Sequence, residues 1–247
     1  MPEAGWVDEL FRSAQGEGIF AGALQIFVRF GGCSASCAYC DTPASRERSP
    51  VCRCEHEGAE VLLENPVGSD AVAAMAVSLA GSTPGIHSIA ITGGEPLDQP
   101  DFLVALLEDL ATCALPRYLE TNGLDAEAAR RAAPHVEIVS LDIKLPSLCP
   151  GSDTFAAAAE AIGIFQGTRL QCKVVLTDDL VPGEFDEAVQ IVASVDPLIP
   201  FVIQPVTASE RCRPPAPPVL LELAMRAGLE LEDVRIIPQL HPVIGLR

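Results

Sequence analysis

Three cysteines, Cys33, Cys37 and Cys40, lie within eight residues of one another and directly follow an apolar run. Closely spaced thiolates are typical metal ligands, and iron–sulfur clusters usually take four of them. Three thiolates would leave one iron with an open site for an exchangeable ligand. The spacing therefore predicts a 4Fe–4S cluster that contacts a substrate rather than a closed electron-transfer centre.

A structural zinc site is the alternative interpretation of these cysteines. Zinc takes four closed ligands, usually as two separated pairs of Cys or His residues. No fourth ligand is close to the triad in the sequence, although Cys52, Cys54 or His56, which follow 12 to 16 residues after Cys40, could supply one. These three residues also leave open a second metal site of their own.

Composition and charge limit the class of protein. The chain has 247 residues, 49% of them hydrophobic, which fits one α/β domain over residues 1–247, or at most two small ones. A formal net charge of −18 argues against binding of nucleic acid. No apolar stretch approaches the roughly 18 residues of a transmembrane helix. The N-terminal residues lack the basic segment followed by an apolar segment that marks a signal peptide. We therefore expect a cytoplasmic protein whose cysteines act as ligands.

Short β-rich runs alternate with segments rich in Ala and Leu. The predicted strands are 24–30, 88–92, 117–121, 136–144, 170–177, 201–206 and 233–237. The predicted helices are 70–80, 101–113, 125–132, 153–165, 184–194 and 217–227. Capping residues are expected at Ser69 or Asp70, at Asp125, and at Asp153 or Thr154. Repeated βα units predict a mostly parallel sheet, closed or partly closed, with the helices outside.

Polar motifs follow the predicted strands at their carboxyl ends. They are "TGGEP" (92–96), "ETNG" (120–123), "SLDIK" (140–144) and "QPVT" (204–207). Ligands of such sheets bind at this edge, so one rim is expected to hold all four motifs. The segment 46–69 shows no clear periodicity and is interpreted as an insertion or lid.

The cysteine spacing, with the aromatic Tyr39 before the last cysteine, resembles that of the radical S-adenosylmethionine enzymes. This resemblance implies a partial TIM-like β/α barrel in which the open iron binds the methionine moiety of S-adenosylmethionine. "TGGEP" resembles the methionine-binding segment of that superfamily. Gly93 and Gly94 permit close approach of a ligand to the backbone, and Glu95 adds negative charge near an ammonium group.

Further stretches are similar to the 7-carboxy-7-deazaguanine synthases, a family within that superfamily. They are "SAQGEGIFAG" (13–22), "FVRFGGC" (27–33), "CDTPAS" (40–45) and the C-terminal "IIPQLHPVIGLR" (236–247). The resemblance implies conversion of 6-carboxy-5,6,7,8-tetrahydropterin to 7-carboxy-7-deazaguanine with loss of ammonia, on the path to queuosine and related bases.

The resemblance also implies the site residues. S-adenosylmethionine is expected at Tyr39, Asp41, Gly94, Glu95, Asp142, Lys144, Gln204, Pro205, Val206 and Thr207. The pterin is expected at Ala14, Gln15, Gly16, Glu17, Arg29, Thr92 and the terminal carboxylate of Arg247. Thr42 is expected to bind Mg²⁺ that bridges to the substrate.

Several of these roles agree with the chemistry of the side chains. The guanidine-like edge of a pterin donates two parallel hydrogen bonds, and the carboxylate of Glu17 is a natural acceptor for them. The guanidinium of Arg29 suits the substrate carboxylate, and the Thr42 hydroxyl is a hard oxygen ligand for Mg²⁺. Asp142 and Lys144 are two apart on one strand and are equally consistent with a simple ion pair.

The family is commonly homodimeric and needs a flavodoxin- or ferredoxin-type reductant, so both are expected here. Three alternatives to the assigned activity remain open in the sequence. One is an activase of glycyl-radical enzymes, which shares the cysteine spacing, and another is a related enzyme acting on a different small heterocycle. The third is a zinc-stabilised binding module without catalytic activity.

Overall fold

The fold is described here from a computed structural model, which covers residues 3–56, 58–151 and 153–246. Its strands are β1 Ala4–Gly5, β2 Val7–Ala14, β3 Leu24–Phe30, β4 Val51–His56, β5 Ala59–Glu64, β6 Val67–Gly68, β7 Ser88–Gly93, β8 Arg117–Thr121, β9 Ile138–Ile143, β10 Arg169–Leu176, β11 Phe201–Pro205 and β12 Val234–Ile236. Its helices are α1 Ser69–Gly81, α2 Pro100–Asp109, α3 Ala126–Ala132, α4 Thr154–Phe165, α5 Glu184–Val195, α6 Pro217–Ala227 and α7 His241–Ile244.

Ten strands form one sheet in the order β12-β11-β10-β9-β8-β7-β3-β2-β4-β5. The seven strands from β12 to β3 are all mutually parallel, as the repeated βα units predicted. The edge strands β12 and β5 pair with one neighbour each among the described residues, so the sheet stays open. This confirms both the α/β class and the incomplete barrel expected from the sequence.

All seven predicted strands exist, with ends that differ by at most two residues, but three further strands of the large sheet were missed. Strand β2 pairs antiparallel with β3, with a bulge between Val7 and Glu9 that interrupts its alternation. Strands β4 and β5 form a hairpin within the segment 46–69, and β4 pairs with β2. Mixed polarity hides these strands, since strands in antiparallel pairs need only one apolar face.

The six predicted helices are also present, and two of their expected caps are confirmed. The carboxylate of Asp125 accepts from the amide of Ala128, and that of Asp153 accepts from the amide of Ala156. The cap expected at Ser69 or Asp70 is wrong, because α1 begins at Ser69 and Gly68 precedes it without a side-chain bond. The short strand β6 runs straight into α1, and its pairing with β1 sets the helix start instead.

Alternation along β3 separates the core from the site. Ile26, Val28 and Phe30 are fully buried in the large core that the helices cover. Phe27 and Arg29 point to the opposite face and line a cavity inside the curved sheet. The sheet thus places its polar inner residues in the cavity, because successive side chains point to opposite faces. No helix in the described residues is long and apolar enough to cross a membrane.

Candidate active site

The cavity opens at the carboxyl ends of the parallel strands and collects most of the predicted site residues. Those lining it are Ala14, Gln15, Gly16, Glu17, Arg29, Cys33, Cys37, Tyr39, Cys40, Asp41, Thr42, Thr92, Gly94, Glu95, Asp142, Lys144, Gln204 and Val206. Pro205 and Thr207 are not among the lining residues. The hydroxyl of Thr207 nevertheless donates to the side chain of Gln239, and Gln239 does line the cavity. Arg247 lies outside the described residues. Of the described residues in the segment 46–69, Arg46 alone lines the cavity, and the hairpin of β4 and β5 extends the sheet.

The cysteine loop is held at both ends by backbone hydrogen bonds. The amide of Gly32 donates to the carbonyl of Ser45 at 2.8 Å, and the amide of Cys33 donates to that of Arg46 at 3.3 Å. The guanidinium of Arg46 donates to the carbonyl of Cys37 at 2.5 Å. The three thiols of the triad are free and partly exposed, and all of them line the same cavity.

This donor set fits a cluster better than a single metal ion. Among the described residues, no group of three or more His, Cys, Asp or Glu side chains converges as ligands of one ion would. A 4Fe–4S cluster has no such requirement, because each thiolate binds a different iron. Cys52 and Cys54 lie in the hydrophobic core with their Sγ atoms 3.4 Å apart.

Two glycines bring the motif "TGGEP" against the cysteine loop. Gly93 has φ +116°, a conformation that L side chains rarely adopt, and it ends β7. A Cβ on Gly94 would lie 2.0 Å from the carbonyl oxygen of Gly32, so no larger residue fits there. The amide of Glu95 then donates to that same carbonyl at 2.9 Å. The glycines therefore let the strand end brace the loop that carries the triad.

The carboxylate of Glu95 is enclosed by protein donors. It accepts from the hydroxyl of Thr121 at 2.6 Å and from the amides of Asn122 and Leu97 at 2.9 and 3.0 Å. Burial raises its pKa to about 7, and these hydrogen bonds oppose the rise. Its role near an ammonium group stays a prediction, and its observed contacts join the ends of β7 and β8.

We expect the stability of the protein to fall as pH rises from about 4.5 to about 7, because of Glu95. In this interval Glu95 holds a proton in the folded state that it has lost in the unfolded state. The free energy of unfolding therefore decreases with pH, by up to about 1.4 kcal/mol per pH unit. Urea unfolding of Glu95→Gln should lack this slope. The exposed Glu222→Gln should retain it, and equal slopes in wild type and Glu95→Gln would contradict the assignment.

Glu17 is the centre of a buried polar network. Lys173 donates to its Oε2, and the side-chain amides of Gln204 and Gln239 donate to its Oε1 at 3.0 and 2.7 Å. Burial alone would raise the pKa of Glu17, but the charge and hydrogen bond of Lys173 and the two amides lower it. Glu17 is therefore an ionised carboxylate, which the interpretation as a substrate acceptor requires.

A second carboxylate, Glu120, faces the same cavity. The side-chain amide of Gln15 donates to its Oε1 at 2.6 Å, and the hydroxyl of Thr92 donates to its Oε2 at 2.8 Å. Burial raises the pKa of Glu120, and the negative charge of Glu17 adds to the rise. Glu120 was missed from the sequence as a functional residue, although it opens the motif "ETNG".

Among the other cavity residues that were missed are Lys173, Gln239 and His241. Lys173 could have been predicted from the sequence, because it lies inside the apolar run of β10. Burying a lysine there costs free energy unless a carboxylate pairs with it. Gln239 and His241 lie in the C-terminal stretch that resembles the family. Their place in the cavity could not be predicted, because it depends on how that segment returns across the barrel. Gln239 donates to the carboxylate of Asp41 at 2.7 Å and so ties that segment to the cysteine loop.

Asp142 and Lys144 form the ion pair that the sequence left open. Lys144 Nζ lies 2.7 Å from Oδ2 of Asp142 and 5.2 Å from the ring centroid of Tyr39. Lys173 also approaches Asp142, at 3.4 Å. Oδ1 of Asp142 and Oε1 of Gln204 are buried without a hydrogen-bond partner in the described part of the chain. These orphaned acceptors fit a ligand rich in N–H and O–H donors, such as S-adenosylmethionine or a pterin.

Arg29 and Thr42 lie on the cavity wall with groups available for a ligand. The guanidinium of Arg29 lies 5.6 Å above the ring of Phe11, and its Nε is 3.5 Å from the carboxylate of Glu9. Thr42 precedes a 3₁₀ turn over Pro43–Arg46 but makes no side-chain capping bond to it. Its hydroxyl is thus not used as the cap that its position before Pro43 would suggest.

An open parallel β/α barrel with three free thiols beside a glycine strand end is the arrangement expected of a radical S-adenosylmethionine enzyme. Solved structures support that fold. QueE from Escherichia coli superposes with a TM-score of 0.64 at 21% identity, covering 96% of this chain and 94% of its own. A radical SAM methyltransferase from Sphaerobacter thermophilus superposes with a TM-score of 0.61 at 13% identity, covering 94% of this chain and 77% of its own.

Sequence relatives give the family. A 7-carboxy-7-deazaguanine synthase from Geobacter sulfurreducens is 40% identical over 243 residues, which are 97% of this chain and 96% of the relative. Another from Methanothermobacter thermautotrophicus is 36% identical over 258 residues, which cover 97% of this chain and 96% of the relative. The chain belongs to the 7-carboxy-7-deazaguanine synthase family. No protein-family model matches it.

Proposed function

We propose that this protein converts 6-carboxy-5,6,7,8-tetrahydropterin to 7-carboxy-7-deazaguanine with loss of ammonia, as a single domain over residues 1–247. The observation that carries the proposal is one cavity lined by both the cysteine triad and two half-buried carboxylates, Glu17 and Glu120. Membership of the synthase family favours this reaction over activation of a glycyl-radical enzyme.

Cys33, Cys37 and Cys40 would hold the 4Fe–4S cluster, and Asp142, Gln204 and the backbone at Gly94 would line the S-adenosylmethionine pocket. When bound, the two cofactors supply a radical able to abstract hydrogen from carbon. The chain's own residues orient the pterin so that its C6 faces that radical, and they exclude water from the cavity. Lys173 holds Glu17 ionised while the substrate binds.

The polar network gives each end of a pterin a partner. Glu120 accepts only from Gln15 and Thr92 among the described residues, so its carboxylate retains lone pairs for the guanidine-like edge. Glu17 lies beside it as a second acceptor. Arg29 faces the cavity from β3, where its planar guanidinium can bind the substrate carboxylate with two parallel hydrogen bonds.

Arg29→Gln is expected to raise the KM for the pterin by about a hundred-fold, because a charge-assisted bidentate contact is worth ~2–3 kcal/mol. Steady-state kinetics with varied substrate tests this. Arg53→Gln is the matched control, since Arg53 pairs with the same Glu9, at 2.9 Å, but does not line the cavity. A similar KM in both variants would exclude Arg29 as the clamp.

Thr42 is proposed to bind Mg²⁺ that bridges to the substrate. Removing its hydroxyl in Thr42→Val should raise the Mg²⁺ concentration needed for half-maximal turnover by about ten-fold or more, since Mg²⁺ depends on few protein oxygen ligands. Thr42→Ser restores the oxygen and should respond to Mg²⁺ like the wild type. Identical Mg²⁺ titrations for the valine and serine variants would refute the assignment.

The central test is turnover by anaerobically reconstituted protein supplied with S-adenosylmethionine, a reductant, Mg²⁺ and the tetrahydropterin. Mass spectrometry should detect 7-carboxy-7-deazaguanine. Formation of 5′-deoxyadenosine without that product would retain the radical chemistry and reject the substrate, in favour of another small heterocycle. Absence of both compounds from iron-replete protein would reject the enzyme assignment.

The setting of the enzyme is also proposed. It is a cytoplasmic homodimer that receives electrons from a flavodoxin- or ferredoxin-type protein. An exposed apolar row along α6 and the turn after it supports the dimer: Leu221, Met225 and Leu229 are 58%, 68% and 83% exposed. Such rows on a protein surface mark contacts with another protein. Analytical ultracentrifugation measures the oligomeric state directly.

A further inference from the structure

Cys149 is a cysteine outside the triad whose thiol contacts one of the triad thiols. Its Sγ lies 3.7 Å from Sγ of Cys37, and its side chain is 1% exposed. Cys37 is partly exposed and lines the cavity, whereas Cys149 is not among the lining residues in the described chain. Cys149 therefore lies behind the cysteine loop, away from the side on which an open iron would meet substrate.

The backbone holds these two thiols together. The amide of Ala38, the residue after Cys37, donates to the carbonyl of Leu148, the residue before Cys149, at 2.9 Å. The amides of Leu148 and Cys149 both donate to the carbonyl of Leu145 at 3.0 Å, which closes a tight turn after β9. The contact between the sulfurs is therefore set by two hydrogen-bonded chain segments and not only by side-chain rotation.

We propose that Cys37 and Cys149 form a reversible disulfide in the cluster-free protein. The bond would remove Cys37 from the set of iron ligands, because only a thiolate binds the metal. Reduction would restore the complete triad. The inference depends on Cys37 being a cluster ligand and does not depend on which heterocycle the enzyme transforms.

A small disulfide such as oxidised glutathione is the oxidant. The thiolate of Cys37 attacks it, forming a mixed disulfide and releasing one glutathione thiolate. The thiolate of Cys149 then attacks Sγ of Cys37, forms the internal disulfide and releases the second glutathione. Two protein thiols are oxidised, one glutathione disulfide is reduced to two thiols, and the two protein protons pass to the leaving thiolates.

Cys52 and Cys54 provide an internal comparison. Their sulfurs are closer, at 3.4 Å, but both residues lie on β4 and are at most 1% exposed. Residues two apart on a strand have Cα atoms about 6.6–6.8 Å apart. That is the upper end of the range for a disulfide, roughly 4.4–6.8 Å. This pair should stay reduced, so contact between sulfurs alone does not predict the bond.

The test is peptide mapping of the full-length, cluster-free protein after treatment with oxidised glutathione and alkylation of the remaining thiols. We expect a linked pair of peptides containing Cys37 and Cys149, with Cys52 and Cys54 alkylated. Cys149→Ser should keep glutathione attached to Cys37. Cys212→Ser is the matched control, because Cys212 contacts the same loop, at 3.7 Å from the carbonyl of Ala38, and it should form the wild-type link.

Iron uptake gives a second readout. Oxidised wild-type protein should incorporate about ten-fold less iron and sulfide on anaerobic reconstitution than reduced protein, since metal binding needs free thiolates. A dithiol reductant should restore uptake. Linkage of Cys37 to Cys33 or Cys40, or glutathione persisting on wild-type Cys37 with Cys149 alkylated, would overturn the proposal. The wild-type map decides this even if Cys149→Ser fails to fold.

Discussion

Cys40→Ala is expected to lower both turnover and 5′-deoxyadenosine formation by at least about a thousand-fold, to background, because the cofactor carries the radical chemistry. Cys40 is one of only three thiols that line the cavity in the described chain. Losing one of three ligands leaves two irons of the proposed cluster without a protein thiolate. Iron and sulfide content per chain after anaerobic reconstitution should fall together with activity.

The control is Cys113→Ala. Cys113 is also free and partly exposed, but it packs against the core beyond α2 and does not line the cavity. Its replacement should leave iron content and turnover at the wild-type level. If Cys40→Ala retained full iron and full turnover, the triad would not be the cluster site.

Lys173→Met is expected to destabilise the protein by about 3–5 kcal/mol, because removing one partner of a buried ion pair leaves the other charge uncompensated. Lys173 is buried, with 7% of its surface exposed, and contacts the carboxylates of Glu17 and Asp142. Burial opposes the charge of Lys173, but these carboxylates raise its pKa, so it remains an ammonium group. Urea unfolding followed by circular dichroism measures the loss.

A double variant separates the charge from the packing. Lys173→Met with Glu17→Gln removes both charges, and should recover much of the stability lost in the single variant. Arg226→Met is the surface control, since its pair with Asp186 is about half exposed on both sides. Exposed pairs contribute at most about 1 kcal/mol. Equal losses for Lys173→Met and Arg226→Met would show that the buried network is not charge-coupled.

Local sequence determined the elements and the cofactor class. Alternation and Ala-rich runs located seven parallel strands and six helices, because burial in a βα unit imposes a pattern within a few residues. The triad and "TGGEP" could be recognised for the same reason, because a loop of cluster ligands and a glycine turn each span only a few consecutive residues.

Only the tertiary structure decided which charges meet. Glu17 and Lys173 are 156 residues apart, and Glu17 and Gln239 are 222 apart. No local pattern encodes such pairs, because they arise from curvature of the sheet and return of the C-terminal segment. The hairpin of β4 and β5 was hidden for a related reason. Strand β4 pairs with β2, and β5 pairs with β4, so the hairpin has its place in the sheet only after β2 has joined it.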